Sequence, residues 1–334
     1  MVQRAQDVSF PFLPQVITGE TADVYFLRAH TILKAQGIDP VVGMQIFPGR
    51  PGVLCGVGQV RQLLADTGFD GELWSMRDGE SVERGEAAIE IFGRYSTFDV
   101  YETAIIGILA SCTGWATAAR EAVDAAAPVP VVSFGARHVH PNVSAIMDFA
   151  AIVGGCSSCS TPLGSALAGK PASGTMAHAY VLIMGDTVRA AEAFDAAMPP
   201  DVPRIVLVDT FQDEALESVR VADALSSALN GVRLDTPSER GGVTPALVKE
   251  VRARLDMAGH TEVQILVSGG FSPDRIRQFQ EAGAPVDSYG VGSYITAARP
   301  IDFTADIREI EGRPVAKRGR IPGMQRSARL TRVL

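Results

Sequence analysis

The sequence predicts an α/β protein, an incomplete seven-stranded (β/α) barrel with an α+β domain in front of it. Three observations carry that prediction. From about residue 130 onward, short apolar, β-rich runs alternate with helical segments, the pattern of parallel strands joined by crossover helices. Before residue 110 the texture changes to stretches punctuated by Gly and Glu, as in antiparallel strands joined by tight turns. The 334 residues are also enough for a barrel and a second domain to bury a substantial core.

The first domain is assigned to residues 1–115. Its opening, "MVQRAQDVSFPFLPQ", has prolines where a secretory segment needs an unbroken apolar run, so a cytoplasmic protein is expected. The antiparallel texture is clearest in "GELWSMRDGESVERGEAAIEIFGRYSTFDVYE", after which a long apolar helix begins near Tyr101. Its stretch "TAIIGILASCTGWATAA" is flanked by Glu102 and Arg120, includes polar residues and is short for a membrane span. It reads as a buried helix.

The barrel is assigned to residues 116–299, with strands in "PVVSFGARH", "AAIVGGCSS", "PASGTMAH", "RIVLVDT", "GVRLDT", "QILVSGG" and "SYGVGSYI". An open doubly wound sheet is the alternative arrangement of the same elements. Helical candidates lie between the runs, such as "FQDEALESVRVADALSSALN" and "TPALVKEVRARLDMAGH". The second is opened by Thr244 and Pro245 and closed by Gly259. After residue 300, "IDFTADIREIEGRPVAKRGR" returns to strand texture, so the tail 300–334 is expected to pack back on the first domain.

Apolar residues make up 46% and charged residues 20%, with a net charge of -8, which argues against disorder and against a polyanion-binding surface. Neither nucleic acid nor an anionic membrane is expected as a partner. A small anionic substrate stays open, because clustered arginines and backbone N–H groups bind phosphate whatever the overall sign. The four cysteines, Cys55, Cys112, Cys156 and Cys159, fit a reducing compartment. "CSSC" has metal or redox spacing, but no second such pair accompanies it, and the bland reading is small residues packed at a strand end.

In such a barrel the carboxyl ends of the strands converge on one mouth, where ligands sit. Gly269-Gly270 and Gly290 to Ser293 end the last two strand runs with small residues, leaving backbone N–H groups able to approach an anion. Ordinary tight turns are the alternative for each. Arg233 and Asp235 share a face because strand side chains alternate, while Val232 and Leu234 face the helices. Charges aimed into a barrel need satisfaction. Either they form a structural ion pair, or the arginine meets pyrophosphate and the aspartate meets ribose hydroxyls or Mg²⁺. Arg137 and Asp209 add charge to the same mouth. His178 could act as a general base, a phosphate acceptor or a helix cap. His138 and His140 suit structural or substrate-edge roles.

Taken in order, "TADVYFLRA", "FGARHVHP", "GTMAHAYV", "GVRLDTPSERGG", "LVSGGF" and "YGVGSYI" resemble the nicotinate phosphoribosyltransferases, especially their short archaeal and bacterial form. The match runs over nearly the whole chain. The resemblance implies a type II phosphoribosyltransferase related to quinolinate phosphoribosyltransferase. Such an enzyme joins nicotinate to the ribose of phosphoribosyl pyrophosphate in NAD biosynthesis, with Mg²⁺ and with ATP coupled through a phosphohistidine. It also implies roles. Phe134 would stack on the pyridine, Tyr25 supplied by the partner subunit would close its other face, and Arg137 would hold the carboxylate or ribose phosphate. Ser160, where nicotinamide-using relatives are acidic, favours the acid over the amide. Arg233 and Asp235 would handle pyrophosphate and ribose, with Asp235 as the Mg²⁺ residue and Asp209 and Thr236 on the substrate side. Gly269, Gly270, Gly292 and Ser293 fall on the 5'-phosphate loops, and His178 on the phosphorylated histidine. A homodimer or an assembly of dimers is implied.

The chain departs from the family in its tail, "KRGRIPGMQRSARLTRVL", which lacks the cysteines of a zinc knuckle, so no zinc is expected. It is also shorter than the large ATP-coupled members, which leaves the strength of ATP coupling open. Quinolinate or another pyridine acid as substrate, and a non-catalytic nucleotide sensor, are the competing readings.

Overall fold

The computed structural model describes residues 9–334. Of the opening stretch read as free of a secretory segment, residues 1–8 lie outside the described residues.

The first domain is built on a six-stranded antiparallel sheet. Strand β1 (Val41–Pro48) lies at its centre, between β3 (Ile89–Arg94) and β10 (Phe303–Ile310). Nearly all of β1 is buried, because both of its faces are covered, so its sequence shows no alternation of apolar and polar residues. β2 (Gly71–Ser75) extends the sheet beyond β3. The tail supplies both edges: β11 (Arg313–Pro314) pairs with β10, and β12 (Thr331–Arg332) pairs with β2. The tail also satisfies a buried charge inside the sheet. Fully buried Glu90 accepts from Gln45 Nε2 at 2.8 Å and from Arg326 Nε at 3.2 Å, and the Arg326 guanidinium lies 3.8 Å from the Trp74 ring centroid. Helices α1 (Val24–Ala35) and α2 (Val57–Asp66) complete this domain.

Helix α3 (Glu102–Ala126) is the spine between the domains. Its buried face is rich in alanine, which lets α4 (Pro141–Val153) approach closely: a Cβ added at Gly154 would fall 2.3 Å from the Ala116 carbonyl oxygen. The apolar stretch is thus a packed interior helix, and among the described residues no helix is long and apolar enough to cross a membrane.

Burial, and then the nearby Asp306 carboxylate, push the pKa of Glu102 from 4.5 up to about 7. The unfolded chain therefore releases this proton first, and the stability Glu102 contributes declines as pH rises from 4.5 to about 7, then levels off. Glu102→Gln, which keeps the neutral shape, is expected to come close to the parent at pH 4.5 and to exceed it by about 2 kcal/mol at pH 7.5, the full shift of about 3 kcal/mol being reduced by solvent screening of a partly exposed carboxyl. Chemical denaturation at the two pH values checks this; equal differences at both would sink it.

The second domain carries six parallel strands in the order β5-β4-β9-β8-β7-β6, namely Ser158–Cys159, Val131–Ser133, Ser288–Val291, Gln264–Val267, Gly231–Leu234 and Ile205–Leu207. The expected seventh strand, "PASGTMAH", does not join the ladder. It runs as irregular chain beside β5, with Ser173 N donating to Cys159 O at 2.8 Å and Pro171 O accepting from Ser158 Oγ at 2.7 Å. Pro171 lacks a donor and Gly174 weakens a strand, so the segment covers part of the gap between the edge strands without closing it. The result is a half-barrel.

Helices α5 (His178–Met184), α6 (Thr187–Ala197), α7 (Glu214–Leu225), α8 (Pro245–Met257) and α9 (Pro273–Glu281) pack around it, and the short α10 (Ser293–Thr296) follows β9. Their starts follow from local chemistry. Thr244 Oγ1 accepts from Leu247 N at 3.2 Å ahead of Pro245, and Asp213 Oδ1 accepts from Ala215 N at 3.0 Å.

Candidate active site

The carboxyl ends of the parallel strands enclose a cleft of about 760 Å³. Alternation along β7 buries Val232 and Leu234 completely and turns Arg233 and Asp235 into the cleft. Arg233 is held at every nitrogen. Its Nε donates to Ser268 Oγ at 2.8 Å, Nη1 to Thr175 Oγ1 at 3.2 Å and Nη2 to Asp235 Oδ2 at 3.1 Å. Ser268 in turn donates to Asp235 Oδ1 at 2.8 Å, closing a ring of three side chains. The Arg233 and Asp235 side chains keep 19% and 22% of their surface, so the pair is fixed but still reachable by a ligand.

The guanidinium of Arg233 lies 4.9 Å from the centroid of Phe134. Phe134 is anchored by its N–H to Val291 O at 2.9 Å, and its ring rests on Gly290. A Cβ at Gly290 would fall 2.5 Å from the ring, and one at Gly292 would fall 2.7 Å from the Phe134 carbonyl oxygen. Glycine at 290 is what gives the aromatic ring room. Gly269 and Gly270 have φ of +94° and +69°, and among the described residues their amides donate to no other group. Two glycine turns, a cation and an aromatic face therefore converge in one concave site.

His178 opens α5 at the rim. Its Nε2 lies 3.0 Å from Asp209 Oδ2, while the cap position of the helix is Ala177, which makes no side-chain cap bond. The helix-cap reading of His178 is thereby replaced by a histidine–carboxylate pair. The Asp209 side chain is 2% exposed, and burial raises its pKa against the lowering effect of His178. Its second oxygen, Oδ1, has no partner among the described residues.

The family model described as quinolinate phosphoribosyl transferase, C-terminal domain, matches residues 115–306, and that of the N-terminal domain matches residues 23–113. The chain belongs to this family. It is 32% identical over 239 residues to a nicotinate phosphoribosyltransferase of Mycobacterium tuberculosis, covering 71% of this chain and 50% of that protein. A Bacillus subtilis protein of the same name is 28% identical over 228 residues, 67% of this chain and 46% of the relative. The chain spans about half the length of the curated relatives it matches. Among solved structures, the nicotinate-nucleotide pyrophosphorylase from Pyrococcus furiosus superposes with a TM-score of 0.85 at 41% identity, over 96% of this chain and 82% of that one. Human nicotinic acid phosphoribosyltransferase shares the fold, with a TM-score of 0.69 at 15% identity over 90% and 77% of the two chains.

Within this family member, Phe134, Arg137, Ser160, His178, Arg233, Asp235, Gly269, Gly270, Gly292 and Ser293 all line the cleft. Three expected substrate residues do not: the Asp209 side chain is buried behind His178 and meets that ring instead of the cleft surface, and Thr236 and Tyr25 lie elsewhere. Thr236 follows Asp235 on the opposite face, where its hydroxyl donates to buried Glu214 Oε1 at 2.8 Å. Strand alternation, which brings in Asp235, takes Thr236 out. Tyr25 sits on α1, 59% exposed, with its hydroxyl on Asp23 Oδ2 at 3.2 Å, and it does not reach the cleft of its own chain. His140 caps α4, its Nδ1 accepting from Asn142 N at 3.2 Å, whereas His138 lines the cleft near Gly292.

Three contributors escaped the sequence reading. Ser268 and Thr175 position Arg233, and Asp148 holds the loop that carries Ser160. Fully buried Asp148 accepts from Ser133 Oγ at 2.8 Å and from Thr161 N and Oγ1 at 3.0 and 2.8 Å. Burial pushes the Cys156 and Cys159 thiols up to about 12, so neither is a ready thiolate. Among the described residues no group of three or more His, Cys, Asp or Glu could by itself enclose a metal ion.

Proposed function

We propose that this protein transfers the phosphoribosyl group of phosphoribosyl pyrophosphate to nicotinate, yielding nicotinate mononucleotide and pyrophosphate on a route to NAD. The observation that carries the reading is Arg233, clamped by Asp235 and Ser268 and set 4.9 Å from Phe134, in a cleft floored by glycine turns. An aromatic face suits a pyridine, a fixed cation suits a departing diphosphate, and open backbone amides suit a ribose phosphate.

The pyridine nitrogen forms the new bond to the anomeric carbon as the bond to pyrophosphate breaks, and the bonding electrons leave with the diphosphate. No base is required, since the pyridine lone pair is the nucleophile. Phe134 holds the ring in line, and Arg233 stabilises charge building on the leaving group. Mg²⁺ fits as an ion carried largely by the substrate phosphates, because Asp235 offers one carboxylate and Mg²⁺ commonly takes one or two plus phosphate oxygens. It would add further neutralisation of the diphosphate.

Nicotinate is favoured over quinolinate because, among the described residues, the only arginines lining the cleft are Arg137 and Arg233, the second already engaged by Asp235. A second carboxylate on the substrate lacks a guanidinium of its own. Turnover of nicotinate, nicotinamide and quinolinate with phosphoribosyl pyrophosphate and Mg²⁺, with and without ATP, tests the assignment. Preference for quinolinate overturns the substrate, and no turnover of any favours the sensor.

ATP coupling through His178 belongs to the same proposal. Asp209 occupies Nε2, so Nδ1 is the ring nitrogen left to accept a phosphoryl group. His178→Ala is expected to abolish ATP stimulation while some ATP-independent transfer remains, as read from initial rates with and without ATP. Undiminished stimulation contradicts this role. A homodimer working in the cytoplasm completes the proposal. Val24, Tyr25 and Ile32 of α1 are exposed to 55%, 59% and 62%, an apolar face that a second copy would cover while bringing Tyr25 to its cleft. A fully active monomer in sedimentation at assay concentration argues against it.

A further inference from the structure

We infer that Arg275, on α9 and outside the cleft, is the positioning residue that aims the Gly269–Gly270 peptide at a bound phosphate; this rests on reading that loop as the phosphate cradle of the proposed transfer. Nη1 of Arg275 donates to the Gly269 carbonyl oxygen, and Nη2 donates to Val243 O at 2.7 Å. The guanidinium also lies 4.5 Å from the ring centroid of Phe271 and 5.8 Å from that of Phe279. No carboxylate pairs with it among the described residues, although burial disfavours its charge. The fold thus buries part of a cation and gives it carbonyl oxygens as partners.

Those carbonyls explain the arrangement. The C=O of Gly269 and the N–H of Gly270 belong to one planar trans peptide and point in opposite directions. With the carbonyl drawn back to Arg275, the N–H faces the other way, on the side where both glycines line the cleft. Successive glycines at φ of +94° and +69° let neighbouring amides converge on an anion, yet the same freedom lets the peptide between them flip. Arg275 removes that freedom. Its second bond, to Val243 O, ties the loop to the chain leaving the Gly241-Gly242 turn after β7. The phosphate loop and the Arg233–Asp235 pair are thereby held in register by a side chain that does not line the cleft.

The test separates ligands. Binding of ribose 5-phosphate and of nicotinate to the full chain is measured by calorimetry, without turnover, for the parent, Arg275→Met and Arg275→Lys, alongside thermal unfolding. Arg275→Met is expected to weaken ribose 5-phosphate by roughly ten- to a hundredfold, as loss of a residue that orients a ligand-binding group commonly does. Nicotinate affinity should be unchanged, and Arg275→Lys, which reaches one carbonyl, should recover part of the loss. In turnover the KM for phosphoribosyl pyrophosphate rises more than kcat falls. Parent-like binding of ribose 5-phosphate by Arg275→Met overturns the inference, as does equal weakening of both ligands. If Arg275→Met does not fold, an unimpaired Arg275→Lys overturns it instead. Failure of the parent itself to bind ribose 5-phosphate removes the phosphate cradle, and this inference with it.

Discussion

Arg233→Ala is expected to lower kcat/KM by about three orders of magnitude, comparable to loss of a preorganised donor aimed at developing charge. The effect has two parts. The cation that faces the diphosphate is lost, and Asp235, bonded to Arg233 at 3.1 Å, is left as an uncompensated negative charge in the same cleft. Arg233→Lys should recover little, because one ammonium cannot reproduce three directed bonds to Ser268, Thr175 and Asp235. Steady-state kinetics with thermal unfolding as a control reads this out. A folded Arg233→Ala variant within a few-fold of the parent would falsify the placement of transfer in this cleft.

Gly290→Ala is the second change with a large expected effect, and it acts by volume alone. Its backbone lies in β9 and is open to any residue, but the new methyl would sit 2.5 Å from the Phe134 ring and 3.1 Å from Ser268 Cβ. The ring has to move, and a misplacement of about 1 Å can cost two orders of magnitude in rate. The kcat/KM for nicotinate should fall roughly ten- to a hundredfold by that reasoning, while ribose 5-phosphate binding is retained. An unchanged kcat/KM for nicotinate would detach Phe134 from pyridine recognition.

Much of the site was legible because its key residues obey the local period of a strand. Arg233 and Asp235 stand two apart in "GVRLDT", and alternation alone puts them together. The same rule, applied one residue further, turns Thr236 away, which the resemblance to a family obscured. Ser268 depends on register between strands: β8 pairs Leu266 with Arg233 and Val267 with Leu234, so the next step sets Ser268 beside Asp235. No local pattern carries that offset. Thr175 lies in an irregular segment, and Asp148 is a buried acid within a helix, where its purpose emerges only once Thr161 folds over it. β1 was missed because a strand covered on both faces lacks alternation, and its partner β10 arrives from the far end of the sequence. The count of seven strands failed at "PASGTMAH", where a missing N–H and a flexible glycine outweigh an apolar composition.

The return of the tail to the first domain sets an order on biosynthesis. β1 leaves the ribosome before the half-barrel, but its neighbour β10 and the edge strands β11 and β12 follow it. In between, the nascent sheet carries an open apolar edge while the whole half-barrel is translated. The half-barrel, whose strands are all supplied between Val131 and Val291, can close first. The antiparallel domain is therefore begun before the half-barrel and completed after it, and a nascent chain is most exposed to chaperones and to mispairing at the edge of β1.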